Sequence, residues 1–427
     1  MKSTTSNNPM ARVMSLRDFR LLFAGAAASL LGDQFSLIAT PWLVLKLTND
    51  PLALGMALAL QGVPRAVFML FGGAVTDTIS PRRVMLIANI TRFLLTAAMA
   101  AMVFANAAQL WMIYVFSLAF GIVAGFAVPA ENSIVPMLVE EQDLQAGNSI
   151  IMGITQLAGF VGPTIAGILI GRYASSLTGV GLAFTIDAFT FVVSAVTLQL
   201  IRSGQQQIAP AGANNENVWA AIRAGVSYLW NDKVLRMMFT VLMAVNFLLI
   251  GPLMVGIPVL ANQRLPEGAA AYGVLMSAFA GGNLVGYLIA GSLPRPKGAV
   301  MQVILVALIA SFGTVVGALG FINYTWVDFG LLLLLGLGNG YIAILMITWM
   351  QTRTPKDMLG RIMSLLTFSS TGLVPISQAV AGAVSKWSLP LMFAIAGGLV
   401  LLVTVWMALH PSLKDFSASL SAVPAEA

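Results

Sequence analysis

Gly72-Gly73-Ala74-Val75-Thr76-Asp77-Thr78-Ile79-Ser80-Pro81-Arg82-Arg83 is a short polar turn between two long apolar runs. An acid one helical turn after a glycine, followed by two arginines, carries too much charge for hydrocarbon, so the turn belongs at a water-facing end. Its arginines assign it to the cytoplasmic side, where loops collect Lys and Arg. Every other apolar run then acquires a direction.

Of the 427 residues, 58% are hydrophobic and 9% charged, against roughly a quarter charged in a soluble chain. The composition is that of a polytopic membrane protein. Runs such as Leu331 to Leu335 and Leu399 to Val405 do not alternate apolar with polar residues, which excludes a transmembrane barrel and leaves helices. The 40 glycines then act as packing residues that let helices approach closely. There is no cysteine, hence no disulfide and no thiolate metal site, and no cofactor is expected. The single histidine, His410, ends the last apolar run and reads as an interfacial residue rather than a proton relay. The net charge of +6 is scattered among loops, which speaks for membrane topology and against nucleic acid.

A helix needs about 20 residues to cross the hydrocarbon. That ruler puts spans near 17–45, 53–76, 84–105, 110–132, 148–172 and 178–201, then near 234–261, 272–293, 299–321, 326–351, 360–385 and 389–409. The fold class expected is all-α and polytopic, with about twelve transmembrane helices in two pseudo-symmetric six-helix bundles, 1–201 and 234–427. Between them, 202–233 reads as a cytoplasmic linker, in which Val218, Ile222, Val226 and Leu229 space an amphipathic surface helix. The polar tail Met1 to Pro9 reads as disordered. Arg12, Arg17 and Arg20 precede the first apolar run, which continues to Leu45 without a cleavage-like end, so it is expected to be a span and not a removable signal. With both termini inside, sixteen of the 22 basic residues face the cytoplasm, four face outward, and Arg65 and Arg92 fall within spans. The halves also echo each other: glycines then charge after spans two and eight, acid-bearing connectors after spans four and ten. Such duplication suits a carrier whose halves rock about a central site.

No HExxH, GxSxG or Walker loop occurs in a usable context, so an enzyme is not expected. The informative residues are charges within spans, each costly in hydrocarbon: Asp33, Arg65, Arg92, Glu131 and Asp187. A carboxyl held out of water can load and release a proton near neutrality, so Asp33 is the leading candidate for proton coupling or substrate contact; a permanent Asp33–Arg65 pair is the alternative. Arg92 lies some eight residues into span three, about 12 Å from its cytoplasmic end. Glu131 reads either as part of the same interior network or as a solvated helix-end charge. Asp187 divides between a second proton site and structural hydrogen bonding. The second half offers only uncharged polar groups and aromatics in its spans, such as Asn246, Asn283, Asn339, Tyr341, Trp349 and Gln378. With Gln34 and Gln61 these form a candidate substrate cavity. The methionines, 23 of them, suit an adaptable lining, though most are filler.

The chain resembles the major facilitator superfamily over essentially its full length. That family's signature after span two is approximately G-x-x-x-D-R-x-G-R-R-R; Gly73, Asp77, Arg82 and Arg83 match, whereas Thr78, Ser80 and Pro81 depart from it. The resemblance implies a gating role for these four residues. Its antiporter motif, G-x-x-x-G-P-x-x-G-G, corresponds to Ala158, Gly162, Pro163, Ala166 and Gly167, small residues plus a proline that can seal or hinge. Gly32-Asp33, Pro129 through Pro136 with Asn148 and Ser149, and Thr354-Pro355 through Gly360-Arg361 to Ser364 are similar to the subgroup of macrolide-efflux proteins and enterobactin-type siderophore exporters.

The resemblance implies a proton-coupled antiporter of the bacterial inner membrane, of the multidrug-resistance type, that exports an apolar or amphipathic small molecule. Protons, a small-molecule substrate and the bilayer are its expected partners, no metal is expected, and a monomer is. Lysophospholipid flipping or metabolite uptake are the transport alternatives, and a non-transporting receptor or scaffold is the alternative from another class.

Overall fold

The computed structural model describes residues 8–202, 218–293, 296 and 298–421; the expected disorder of Met1 to Pro9 falls mostly outside them. A few side chains within helices, Asp77 among them, are likewise not described. The chain is built of helices: α1 (Pro9–Ser15), α2 (Arg17–Thr48), α3 (Pro51–Thr78), α4 (Pro81–Phe104), α5 (Leu110–Ile134), α6 (Leu144–Gly171), α7 (Thr178–Leu200) and α8 (Val218–Asn231). Then come α9 (Lys233–Gly251), α10 (Ile257–Arg264), α11 (Ala269–Ser292), α12 (Gly298–Leu319), α13 (Thr325–Arg353), α14 (Lys356–Thr371), α15 (Val374–Trp387), α16 (Leu389–Leu409) and α17 (Ser412–Ser421). Among the described residues, twelve helical segments are long and apolar enough to cross a membrane. The protein is a multi-pass membrane protein.

Two expected spans are compound. Span seven runs from α9 through a single turn of wider π geometry at Pro252–Gly256 into α10; Pro252 and Pro258 remove backbone donors there, which is how prolines remodel a membrane helix. Span eleven breaks between α14 and α15 at Gly372-Leu373, just before Pro375. Span three begins at Pro81 rather than near 84; proline at a first helical position costs no hydrogen bond. Arg92 therefore sits about 17 Å along its helix rather than 12 Å.

The chain folds as two compact units. Unit 1 comprises Met1–Asn49, Leu60–Ala213 and Pro266–Ser277; unit 2 comprises Asp50–Ala59, Asn214–Leu265 and Ala278–Ala427. Each unit thus takes the first turns of one span, the second or the eighth, from the opposite half of the sequence.

In unit 1, the apolar core at one end gathers Val13, Phe19, Leu22, Val84, Met85, Ala130, Ile134, Leu198 and Ile201. The short helix α1 is pinned to it: Val13 is buried, and the Arg12 guanidinium grips Asp143 with a fork, Nε to Oδ2 at 2.8 Å. Bidentate pairs of this kind fix orientation as well as energy. Arg82 donates to the Leu198 and Gln199 carbonyls at 2.7 and 2.8 Å. Those are unpaired acceptors at the C-terminus of α7, where a cation is favoured. In the antiporter-motif helix α6, Ala158 is buried, Gly162 leaves room for the Gln34 side chain, and Gly167 packs against Ala269 and Gly273.

In unit 2, α11 and α13 cross with glycines facing backbone on both sides: Gly282 and Gly286 against Leu333 and Leu337, Gly336 and Gly340 against Phe279 and Asn283. Small residues at such a crossing replace side-chain packing by backbone contact. Asn339 seals it by donating to the Asn283 amide oxygen at 2.7 Å. Outward-facing apolar side chains such as Phe189, Ile87 and Leu402, all more than half exposed, are what lipid requires. Tyr324, Trp326 and Trp387, exposed at helix ends, fit the aromatic belt of a bilayer interface.

Candidate functional site

The spans of unit 1 enclose a cavity of about 300 Å³, whose lining includes Asp33 from α2, Arg65 from α3, Asn89 and Arg92 from α4, and Glu131 from α5. Four of the five span charges singled out from sequence thus converge, although they come from four helices.

Arg92 is buried, its guanidinium 5.7 Å from the ring centroids of both Phe120 and Phe191. Cation–π attraction offsets part of the cost of placing that charge in a span. One terminal nitrogen reaches Glu131 Oε1 at 3.3 Å, so Glu131 joins the interior charges while its own carboxylate stays open to the cavity. Arg92 Nε finds no partner.

Asp33 behaves differently. Among the described residues it accepts no hydrogen bond and forms no ion pair, and Arg65 forms none either. A permanent Asp33–Arg65 salt bridge is therefore not part of this structure. Both side chains line the cavity.

Asp187 is fully buried beside the cavity rather than lining it. Its Oδ2 accepts from the Ser36 hydroxyl, while Oδ1 has no partner. Gly32 favours this contact: a Cβ there would clash with Thr190 Oγ1 and lie 2.7 Å from Asp187 Oδ1, so a larger residue would push these α7 side chains aside. The buried Asn89–Ser194 hydrogen bond, 2.9 Å, closes the wall beside Arg92.

Of the turn after span two, Arg82 is engaged on α7 as described, Arg83 is exposed, and the Asp77 side chain lies outside the described residues. A Cβ on Gly73 would meet nothing within 4 Å, whereas one on Gly72 would lie 2.5 Å from the Gly125 carbonyl oxygen. The neighbouring glycine, not the signature one, makes the close helix contact.

Unit 2 holds a second cavity, of about 200 Å³, lined by Asn246, Asn339 and otherwise apolar side chains. Asn283 supports Asn339 from behind. Trp349 is buried against Phe416, ring centroids 4.8 Å apart, with Arg353 over its face. Gln34, Gln61, Tyr341 and Gln378 line neither cavity.

The expectation that the second half carries no charge within its spans is overturned by Asp328 in α13. It is fully buried, and among the described residues neither carboxylate oxygen finds a hydrogen bond. It sits four residues into the span, where hydropathy alone reads an interfacial acid; the fold covers it. Among the described residues, no group of three or more His, Cys, Asp or Glu side chains could hold a metal ion.

The sequence model of the Major Facilitator Superfamily matches residues 22–377, the stretch that holds spans two to ten whole, most of the first and eleventh, and both cavities but for Met407. The chain belongs to the major facilitator superfamily. It is 25% identical over 390 residues to the enterobactin exporter EntS of Shigella flexneri, covering 90% of this chain and 89% of that protein. Among solved structures, a mutant of the nucleoside transporter NupG is similar with a TM-score of 0.74 at 11% identity, over 94% of this chain and 99% of that one. A bacterial homologue of the iron transporter ferroportin, in an inward-facing state, has a TM-score of 0.70 at 18% identity, over 92% and 99%. These structural likenesses speak for the fold. As a superfamily member with exporter relatives, the chain is a transporter and not an enzyme.

Proposed function

We propose that this transporter is a proton-coupled exporter of an apolar or amphipathic small molecule, working by alternating access in a bacterial inner membrane with both termini cytoplasmic. The observation that carries this reading is the unit 1 cavity, in which, among the described residues, Asp33 is the carboxyl without a bonded partner beside the Arg92–Glu131 pair. A carboxyl already tied into an ion pair must break it to exchange a proton; Asp33 has none to break. Asp33 shares the cavity with the Arg65 and Arg92 charges, so proton loading changes the balance of forces among α2, α3 and α4. A ligand or proton shifts a two-state carrier only by what it contributes differently to the two states, and this is such a difference.

Export rather than uptake is supported by likeness to an enterobactin exporter, and the apolar, methionine-bearing cavity of unit 2 suits an amphipathic solute. In purified protein reconstituted into vesicles carrying a trapped pH dye and an imposed gradient, a macrolide, a cationic dye, a siderophore or a lysolipid should dissipate the gradient. A panel in which none does so would refute proton-coupled export.

A further inference from the structure

The unit 2 cavity has a hydrogen-bonding polarity that can be deduced from its surroundings. Asn246 Nδ2 donates to the Leu242 carbonyl at 3.0 Å. Asn283 Nδ2 donates to the Phe279 carbonyl at 3.0 Å, and Asn339 Nδ2 donates to Asn283 Oδ1 at 2.7 Å. Backbone carbonyls only accept, so Leu242 fixes which end of the Asn246 amide faces it, and Phe279 fixes Asn283. Asn283 in turn fixes Asn339, since the reverse orientation would set two acceptors against each other. The relay ends at the Asn339 oxygen.

Both Asn246 and Asn339 line the cavity, and neither Oδ1 receives a hydrogen bond from a described residue, yet neither is sealed off. The remaining lining is Met238, Phe312, Met346, Met407 and aliphatic side chains, with no charged residue. The cavity therefore presents two oriented amide oxygens, each amide keeping one further N–H, in a polarizable apolar wall. An anion entering it would meet two amide oxygens and no cation.

We propose that this cavity is a specificity subsite for a neutral ring or short apolar group bearing O–H or N–H donors, which the Asn246 and Asn339 oxygens accept. The proposal rests on the reading of the chain as a carrier of amphipathic small molecules, and adds which chemistry the carrier selects. A cavity of roughly 150 Å³ is known to hold a benzene ring, so about 200 Å³ admits a substituted one.

The test is equilibrium binding to the purified full-length protein in nanodiscs, followed by fluorescence polarization without any pH gradient. The probes are umbelliferone below the pH at which its phenol ionises, its methyl ether herniarin, and a coumarin carboxylate. Umbelliferone should bind about 3- to 10-fold more tightly than herniarin, the range of one net hydrogen bond, and the carboxylate more weakly than both. Asn246→Leu should reduce the preference while leaving the Asn283–Asn339 pair intact, and Asn246→Leu combined with Asn339→Leu should remove it. Met238→Trp, which fills the cavity, should weaken both neutral probes together. Equal binding of umbelliferone and herniarin, or a preference that survives Asn246→Leu and Asn339→Leu, would overturn the subsite. Because no gradient is used, the preference is read without proton coupling, so a failure of proton coupling and a failure of this subsite give different results.

Discussion

At the scale of single residues, burial and partnership separate charges that the sequence presents as equals. Asp33, Arg65, Arg92, Glu131 and Asp187 all interrupt apolar runs, but Arg92 is held between two phenyl rings and Asp187 by Ser36, while Asp33 has no bonded partner. Arg92→Ala should cost about 1–2 kcal/mol of stability, chiefly the lost cation–π contacts, because Glu131 can turn to water. Detergent melting curves check this, and Arg92→Lys should recover only part of the loss since a lysine lacks the flat guanidinium. At a helix start outside the spans, the Asp50 carboxyl is held below the ordinary carboxylate range, first by the Lys386 ammonium at 2.8 Å and also by the Leu52 N–H. A depressed carboxyl contributes stability that is present above its unfolded value and is lost as pH falls through the folded one. Wild type should therefore lose more stability than Asp50→Asn on acidification below about pH 4, in melts taken across that range. The span charges were legible because charge in an apolar run is rare. Their convergence was legible only in part, as an Asp33–Arg65 pairing and an Arg92–Glu131 network offered among alternatives, since 33, 65, 92 and 131 share no helix. Asp328 was missed because an acid near a span end looks interfacial until the tertiary fold covers it.

At the scale of elements, the spans were largely legible because hydrocarbon thickness dictates helix length. The breaks at Pro252–Gly256 and Gly372 were not, since proline and glycine are tolerated within membrane helices and mark a break only when neighbours exploit it. Nor was the clamp of α1: Arg12 read as a topological charge, and Asp143 as a connector acid, 131 residues away. Glycines divide in the same way. On α6 a Cβ at Gly167 would lie 2.6 Å from the Ala269 carbonyl oxygen, whereas at Gly153 it would meet nothing within 4 Å. Gly167→Ala should destabilise by about 1–3 kcal/mol through overpacking, and Gly153→Ala should be neutral or stabilise by up to about 1 kcal/mol through helix propensity. Melting temperature and monodispersity of the two purified variants give the comparison, and equal behaviour would remove the close α6–Ala269 approach from the account.

At the scale of the whole molecule, the two units carry cavities of opposite character. The unit 1 cavity is lined by Asp33, Arg65, Arg92 and Glu131; the unit 2 cavity is apolar with two amides. Sequence reading anticipated this division by charge, but it grouped Gln34 and Gln61 with the second half's amides, whereas each cavity is lined from one unit alone. On the proposed reading, unit 1 senses the proton and unit 2 senses the solute. The central claim is that Asp33 links proton movement to transport, and the measurement closest to it compares wild type with Asp33→Asn in reconstituted vesicles, with one exported substrate followed in two modes. Under an imposed pH gradient the variant should show no uphill transport, while exchange of labelled for unlabelled substrate without a gradient continues at a rate near wild type. Undiminished gradient-driven transport in Asp33→Asn would contradict the claim.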